Sequence, residues 1–358
     1  MSPRLEAEHL YKVFGRRPDD AVERLRLGAD REELRAGGTT AAVIDASFQV
    51  EPGEIFVVMG LSGSGKSTLL RMLNGLSEPT AGRVSFDGQD LTSLPDGALR
   101  ELRSRKISMV FQHFALFPHR SVRDNAAYGL SVQGVPRAER DRRADEALAL
   151  CGLAGWEKSW PDELSGGMQQ RVGLARALAT DADLLLMDES FSALDPLIRR
   201  DMQDQLLELQ KSLKKTIVFI THDLNEAMRL GDRIAVMRDG RIVQVGTAED
   251  ILVRPADDYV ASFTKDVDRA RVLTAAAVMD TDVRGDEADC DCETATPHTP
   301  FTELCAISAR VNHPVAVVDR DHVLVGVVPR HRLVGFLGDE QGEPAPCRPR
   351  GGKVATRA

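Results

Sequence analysis

The feature that most constrains this chain is a glycine-rich stretch between an apolar run and a helical run. Residues 55–59 are apolar throughout and predict a buried strand, and residues 69–73 predict the opening of a helix. The stretch between them consists of Gly60, Leu61, Ser62, Gly63, Ser64, Gly65, Lys66, Ser67 and Thr68. Its glycines let the backbone curl so that N–H groups converge on phosphate oxygens, and the helix N-terminus adds partial positive charge. The sequence therefore predicts a phosphate site in an α/β fold.

The end of this stretch carries the side chains that a nucleotide site needs. Lys66 has the reach to contact the β- and γ-phosphates, and the Ser67 hydroxyl can ligate Mg²⁺. A glycine-rich turn that merely joins a strand to a helix is the alternative. The sequence disfavours that alternative because Lys66 and Ser67 follow the last glycine in the register that phosphate binding requires.

A second phosphate cradle is predicted at the start of a long helical run over residues 164–179. Its residues are Ser165, Gly166, Gly167 and, two positions on, Gln169. One chain then carries two helix ends suited to phosphate but one such lysine, which is explained if two copies face each other head to tail. Each nucleotide would lie between the Lys66 loop of one copy and the Ser165 loop of the other. A serine that only caps the helix is the alternative.

Two further strands end in residues suited to phosphoryl transfer. Asp188 and Glu189 close an apolar strand, where Asp188 suits the Mg²⁺ site and Glu189 suits polarising an attacking water. His222 follows the strand at residues 216–220 and is placed to touch the γ-phosphate. The alternatives are two acids that cap the next helix and a purely structural histidine.

Phe14 and Gln112 complete the set of candidate site residues. Phe14 ends the first strand and is a candidate for stacking on an adenine ring, with a core aromatic as the alternative. Gln112 ends the strand at residues 107–111, where it can ligate Mg²⁺ or orient water; an ordinary polar strand cap is the alternative. The loop that follows is apolar, with Phe114, Leu116, Phe117 and Pro118. An exposed apolar loop of this kind predicts a docking surface.

Composition limits the class of protein. The 358 residues suffice for one large domain and a smaller one. The net charge of −9 disfavours nucleic-acid binding, which needs a basic surface. Five scattered cysteines, an odd number, fit a reducing compartment better than a disulfide framework. The N-terminus lacks the apolar core of a signal peptide, and no apolar run approaches the roughly 18–20 residues of a membrane span, so we expect a soluble or peripheral protein.

Residues 16–40 predict a surface insertion between two strands. They are rich in Asp, Glu, Arg and Gly, yet four leucine and valine side chains have helical spacing within them. These are Val22, Leu25, Leu27 and Leu34.

The C-terminal part differs in composition from residue 264 onwards. An acidic stretch contains Cys290 and Cys292, a pair without the matching second pair that a metal site would need. Two strands near residues 315–328 and a short helix at residues 330–337 predict a small α+β region. The proline- and glycine-rich tail at residues 338–358 is predicted to be disordered.

The motifs between residues 4 and 265 resemble, in order and spacing, the nucleotide-binding subunit of ABC transporters. This resemblance implies a P-loop NTPase fold with a mixed sheet core, an antiparallel β subdomain and a helical subdomain. It implies that ATP and Mg²⁺ bind. The implied catalytic residues are Glu189, His222 and Gln112, and the implied Mg²⁺ residues are Ser67, Gln112 and Asp188. ATP contacts are implied for residues 60–68, Phe14 (with Tyr11 as the alternative), Ser165, Gly166, Gly167, Gln169 and Asp195, which lies in a loop facing the opposing subunit.

The resemblance also implies partners and a location. A homodimer of ATPase subunits would dock through residues 112–118 on an integral membrane permease, at the cytoplasmic face of the inner membrane. An extracytoplasmic solute-binding protein would complete the complex, and nucleic acid is not an expected partner. A non-transport ABC ATPase is the alternative from another class, although the single signature motif disfavours it.

A narrower resemblance concerns the solute. The opening residues 11–15, the insertion, the run at residues 59–68 and residues 266–273 are similar to the ATPase of glycine betaine/L-proline importers. That family implies CBS repeats in the C-terminal region, and residues 272–337 are similar to a single, incomplete CBS unit. An importer ATPase for another amino acid or polar solute is the alternative, because an ATPase subunit does not itself touch the solute.

Overall fold

The computed structural model describes residues 3–112, 115–264, 269–281, 293–311 and 313–337. The chain divides into two compact units, one ending near residue 264 and the other beginning near residue 269. Among the helices described, none is both long and apolar enough to cross a membrane. The cysteine pair at 290 and 292 and the tail after residue 337 lie outside the described residues.

In the residues that the structure describes, the first unit contains ten strands in two sheets. They are β1 (Leu5–Phe14), β2 (Thr40–Val50), β3 (Ile55–Met59), β4 (Ala81–Phe86), β5 (Gln89–Asp90), β6 (Ile107–Val110), β7 (Leu184–Asp188), β8 (Thr216–Thr221), β9 (Arg233–Arg238) and β10 (Arg241–Gly246). Six of them form a sheet in the order β10-β9-β3-β8-β7-β6. Its inner pairings are parallel and the β9–β10 hairpin at one edge is antiparallel, so this is the mixed sheet that was predicted.

The apolar run of β3 is explained by its central position. All five of its residues are buried, because the strand has a neighbour on each side and packed side chains on both faces. The second sheet is antiparallel, with the order β2-β1-β4-β5. Phe48 of β2 stacks on Phe56 of β3 with ring centroids 4.9 Å apart, so one hydrophobic core joins the two sheets.

Twelve α-helices accompany these strands in the described part of the first unit. They are α1 (Pro18–Arg26), α2 (Arg31–Ala36), α3 (Lys66–Leu73), α4 (Asp96–Lys106), α5 (Val122–Ala126), α6 (Tyr128–Val132), α7 (Arg137–Leu150), α8 (Gly166–Ala179), α9 (Pro196–Leu213), α10 (Leu224–Leu230), α11 (Ala248–Val253) and α12 (Asp258–Thr264). Helices α5 to α8 pack on one another and form the helical subdomain. Helix α3 starts at the phosphate loop and packs against β7 and β8.

The insertion folds as two short helices rather than one. Val22, Leu25 and Leu34 are buried in a small core that includes Tyr11 of β1. Leu27 is 88% exposed, so its predicted place on the apolar face was wrong. The physical reason is that α1 ends at Arg26, after which the helical spacing no longer applies.

The second unit is a small α+β assembly. Its described elements are α13 (Ala275–Val278), α14 (Phe301–Arg310), β11 (Val315–Val318), β12 (Leu324–Val328) and α15 (Arg330–Leu337). The two strands pair antiparallel and α14 packs against β11; valines of both strands are buried, as are Phe301 and Leu304 of α14. The predicted strands and the predicted helix at residues 330–337 are present in this unit.

Candidate nucleotide site

The phosphate loop connects β3 to α3 and has a backbone that only glycine adopts easily. Gly60, Gly63 and Gly65 have φ angles of 155°, 79° and 105°. A Cβ atom on Gly65 would lie 2.1 Å from the carbonyl oxygen of Ala42, and one on Gly60 would lie 2.2 Å from that of Met237. Strands β2 and β9 therefore pack closely against the loop, and a side chain at Gly60 or Gly65 would displace the loop.

Lys66 is buried at the start of α3 and points back into the loop. Its Nζ atom donates to the carbonyl oxygens of Gly60 (2.8 Å) and Leu61 (3.1 Å) and lies 3.7 Å from Oε1 of Glu189. Burial lowers the pKa of Lys66, and the nearby Glu189 carboxylate opposes that shift. The ammonium group is thus held where a phosphate oxygen would be a charged, and therefore stronger, acceptor.

Ser67 and Asp188 meet beside Lys66. The Ser67 hydroxyl donates to Oδ1 of Asp188 at 2.9 Å, and burial raises the pKa of Asp188 although this hydrogen bond opposes the rise. A hydroxyl and a carboxylate side by side are oxygen ligands of the type that Mg²⁺ prefers. The residues present therefore fit a magnesium ion bound with a nucleotide.

Glu189 is the point where the predicted catalytic residues converge. Its Oε2 atom lies 3.1 Å from Nδ1 of His222 and 3.5 Å from Nε2 of Gln112. Its φ angle is 43°, an uncommon conformation for a glutamate, and its N–H donates to the carbonyl of Ile220 at 3.0 Å. The ends of β6, β7 and β8 thus bring one amide and one imidazole to the Glu189 carboxylate, which itself lies beside Lys66.

The second predicted cradle has an exposed edge at the start of α8. Ser165 is exposed and is also the N-cap of α8, because its Oγ accepts from the N–H of Met168 at 3.3 Å. The helix-cap role is therefore present, and the serine hydroxyl keeps its own proton for a further acceptor. Gly166 is exposed beside it.

Gln169 and Gly167 have structural contacts within the chain. The amide of Gln169 donates to the carbonyl oxygens of Pro161 (2.8 Å) and Leu164 (3.3 Å), so it shapes the turn before α8. Gly167 is buried, and a Cβ there would lie 2.6 Å from the Ile198 side chain. Without this glycine, α8 could not approach α9 so closely.

Asp195 stands at the neighbouring helix start. Its Oδ1 accepts from the N–H of Ile198 at 3.0 Å, which makes it the N-cap of α9. Because Gly167 of α8 touches Ile198 of α9, the exposed residues Ser165 and Asp195 belong to adjoining helix ends.

Phe14 is exposed at the end of β1 and Tyr11 is not. The Phe14 side chain is 49% exposed, whereas Tyr11 is 5% exposed and packs on the insertion. The Nζ atom of Lys12 lies 5.3 Å from the Phe14 ring centroid. Of the two candidates, the structure leaves only the Phe14 ring available to a planar ligand.

The loop after Gln112 is organised by a residue that the sequence did not single out. Asn125 is fully buried in α5; its side chain accepts from the N–H of Phe117 (2.7 Å) and donates to the carbonyls of Phe117, Arg120 and Ser121 (3.0–3.1 Å). An asparagine inside an apolar helical pattern was the available signal. Phe114 lies outside the described residues.

The described part of that loop is only partly exposed. Leu116 and Phe117 are half-buried, and the Phe117 ring lies 4.6 Å from that of Tyr128, while Pro118 is exposed. In its described residues, the predicted apolar surface is therefore a turn held by the hydrogen bonds of Asn125 and not a free loop.

Comparison with known proteins identifies the family. Residues 43–192 match the model of the ABC transporter family. The glycine betaine transport ATP-binding protein of Bacillus subtilis is 47% identical, over 93% of this chain and 92% of that protein. The glycine betaine/carnitine transport ATP-binding protein of Listeria monocytogenes is 51% identical, over 91% of this chain and 80% of that protein. A bacterial ABC transporter cassette solved as a dimer is 31% identical with a TM-score of 0.57, over 68% of this chain and 98% of that one. On these similarities, the chain belongs to the family of ABC transporter ATP-binding proteins.

Proposed function

We propose that this chain is the ATP-hydrolysing subunit of an importer for glycine betaine, L-proline or a related compatible solute. The observation that carries the proposal is the convergence of Gln112, Glu189 and His222 beside the buried Lys66. The site has a phosphate cradle, a base and its orienting partners within a few ångströms, which is the set of groups that nucleotide hydrolysis requires.

ATP would lie across the first unit with its two ends held separately. The adenine ring stacks on the exposed Phe14, and the triphosphate follows the backbone N–H groups of residues 60–68. Lys66 exchanges its loop carbonyls for oxygens of the β- and γ-phosphates. Ser67, Asp188 and Gln112 hold Mg²⁺, which when bound neutralises the developing charge on the phosphates.

Glu189 serves as the group that polarises the attacking water. Its carboxylate oxygen is already shared with His222 and Gln112, so it is oriented before the nucleotide arrives. His222 contacts the γ-phosphate from the end of β8. The Glu189 side chain is 17% exposed, so the carboxylate is partly shielded from water, whereas His222 and Gln112 reach it from the exposed side.

A second copy of the chain completes each site. Ser165, Gly166 and Gly167 of one copy cap the nucleotide held by Lys66 of the other, with Gln169 shaping the cradle and Asp195 beside it. The exposure of Ser165, Gly166 and Asp195 supports this arrangement, as does the dimeric cassette to which the chain is similar.

The remaining partners follow from membership of a transporter. Residues 112–118 dock on an integral membrane permease, at the cytoplasmic face of the inner membrane. An extracytoplasmic protein delivers the solute. The hydrogen bonds of Asn125 fix the conformation of the turn at residues 117–121, which supports this assignment.

The printed names of the two relatives support a quaternary amine as the solute, since one is named for glycine betaine and the other for glycine betaine and carnitine. We assign residues 4–265 to the ATPase domain and residues 272–337 to a single CBS-like regulatory region. The antiparallel pair β11–β12 flanked by α14 and α15 supports a small α+β region of this kind.

The proposal is tested with the complex of this chain and its permease in lipid vesicles. ATPase activity is measured with glycine betaine, proline, choline and carnitine side by side, each delivered by the solute-binding protein. Stimulation by one of these solutes supports the proposal. Hydrolysis that none of them stimulates, in a complex that does assemble, would contradict the assignment of the solute class.

A further inference from the structure

The insertion touches the phosphate loop directly. Nη2 of Arg31, the first residue of α2, lies 3.3 Å from the carbonyl oxygen of Gly63, and Nη1 lies 3.2 Å from Oδ1 of Asp239. Asp239 is in the turn of the β9–β10 hairpin. One guanidinium group therefore joins the insertion, the outer side of the loop and the hairpin.

The last helix of the first unit reaches the same loop from another direction. The N–H of Leu61 faces the Tyr259 hydroxyl of α12; burial raises the pKa of Tyr259, and this N–H opposes the rise. The guanidinium of Arg238 lies over the Tyr259 ring at 4.6 Å, and its Nε is 3.4 Å from Oδ2 of Asp239. We call Arg31, Asp239, Arg238 and Tyr259 the loop brace.

The hairpin turn fixes the centre of the brace. Asp239 and Gly240 have φ angles of 49° and 83°, as a tight two-residue turn requires. The N–H of Gly240 donates to the carbonyl of Ser64 at 3.0 Å, and its own carbonyl accepts from Ile44 of β2 at 2.8 Å. The turn is thereby tied to both the phosphate loop and the second sheet.

We propose that Arg31 and Tyr259 are positioning residues that hold the outer side of the phosphate loop in its nucleotide-binding conformation, with Asp239 and Arg238 joining them. The inference rests on the proposed function, because it takes ATP as the ligand of the loop. It gives the insertion at residues 16–40 a role in nucleotide affinity.

The contacts of the brace preorganise the phosphate loop. The loop contains glycines with positive φ, and glycine loses more conformational freedom on ordering than any other residue. Contacts that order the loop beforehand reduce what the nucleotide must supply on binding. Within the phosphate loop, the brace contacts backbone atoms of Leu61 and Gly63. These residues are distinct from Lys66 and Ser67, which would bind the phosphates and Mg²⁺. Loss of the brace should therefore weaken ATP binding and change turnover of the bound state much less.

Arg31 can be truncated without leaving a buried void. It borders an open cleft of about 610 Å³ that is also lined by Thr40, Gly63 and Asp239. Replacement by alanine removes the two polar contacts and enlarges a space that solvent already reaches. The variant is therefore expected to fold, and any effect on nucleotide affinity can be separated from stability.

The first experiment titrates the full chain with ATP by calorimetry. Arg31→Ala should raise Kd roughly three- to tenfold, as expected for the loss of partly exposed polar contacts. Arg31→Lys should recover part of the affinity, and the control Arg24→Ala, at an exposed arginine of the same insertion, should match wild type. The melting temperature is recorded for every variant.

The second experiment measures hydrogen exchange at residues 60–65. Arg31→Ala should speed exchange across the loop, and Tyr259→Phe, which keeps the ring under Arg238, should speed it at Leu61. Wild-type Kd and wild-type exchange in Arg31→Ala would overturn the proposal. So would a rise in Kd that merely follows a fall in melting temperature and is not rescued by Arg31→Lys.

The two proposals fail in different ways. If wild type does not bind ATP, or if Lys66→Ala binds it equally well, the proposed function fails. If Lys66→Ala loses affinity while Arg31→Ala and Tyr259→Phe behave as wild type, only the brace fails.

Discussion

Nδ1 of His222 lies 3.1 Å from Oε2 of Glu189, at the ends of two adjacent parallel strands. Because a carboxylate only accepts hydrogen bonds, the histidine donates from Nδ1. The other ring nitrogen, Nε2, can donate to a phosphate oxygen when the imidazole carries a proton there as well. The pair thus links the candidate base to the residue that would contact the γ-phosphate.

We expect Glu189→Gln to bind ATP with little change and to lose turnover by about 10²–10⁴-fold, because an amide cannot take the proton of the attacking water. The glutamine keeps the shape of the side chain and still reaches His222. Binding is measured by calorimetry, and turnover as phosphate release. Glu208→Gln, at an exposed position of α9, is the matched control. Near-wild-type turnover in Glu189→Gln would remove Glu189 from the role of base.

Lys66→Ala should weaken ATP binding about ten- to hundredfold, since one hydrogen bond to a charged group contributes about 1.5–3 kcal/mol. The lysine is 4% exposed, so unfolding curves must accompany the titration to separate affinity from stability. Lys211→Ala, an exposed lysine of α9, serves as the control. An unchanged Kd in a folded Lys66→Ala variant would contradict the phosphate-loop role.

The convergence of the catalytic residues could be predicted from the sequence only in part. Gln112, Glu189 and His222 each follow an apolar run, and the carboxyl ends of parallel strands meet at one sheet edge. That these three runs are neighbours depends on strand order, which spacing alone does not determine. The resemblance to a family, rather than local pattern, is what assigned the three residues to one catalytic site.

Other features depend on contacts that no local pattern encodes. Arg31 meets Asp239 across 208 positions of sequence, and Asn125 binds backbone groups of a turn that precedes its helix. Leu27 obeyed the helical spacing but lies beyond the end of α1. Periodicity predicts which face of an element is buried; it does not predict where short helices end or what long polar side chains reach.

The thermal stability of the chain should depend on pH because of Glu226. This residue is 4% exposed in α10, its Oε1 accepts from Nε2 of Gln203 at 3.0 Å, and burial raises its pKa. Because the pKa of Glu226 is higher in the folded chain than in the unfolded chain, protonation of this carboxyl favours folding. Its contribution to the free energy of unfolding is complete below about pH 4.5, the ordinary pKa of glutamate, and is lost as the pH rises through the folded-state pKa.

The variant Glu226→Gln removes that titration and can keep the contact with Gln203. We expect its melting temperature to exceed that of wild type near pH 7, by about 2–4 °C for each kcal/mol gained, and the difference to shrink towards pH 4.5. Thermal unfolding of both proteins across this range measures it. A difference that stays constant with pH would show that Glu226 does not titrate there.

A substitution at Asn125 should disrupt the turn at residues 117–121 without changing any residue of that turn. In Asn125→Asp the carboxylate still accepts from the N–H of Phe117, but it cannot donate to the carbonyls of Phe117, Arg120 and Ser121. The carbonyls of Ser121 and Phe117 keep the backbone N–H groups of residues 125 and 120 as partners, whereas the carbonyl of Arg120 loses its bond to this side chain. A buried group left without a partner costs about 1–3 kcal/mol, so unfolding by urea should show a loss of that order.

The same substitution should weaken association with the permease more than it weakens ATP binding, because the phosphate loop is not among the groups that Asn125 contacts. Co-purification with the permease and ATP titration of the same variant measure the two effects. Asn225→Asp, at an exposed position of α10, is the control for the added charge. If Asn125→Asp binds the permease as wild type does while its stability falls, the turn is a structural element and docking takes place elsewhere on the first unit.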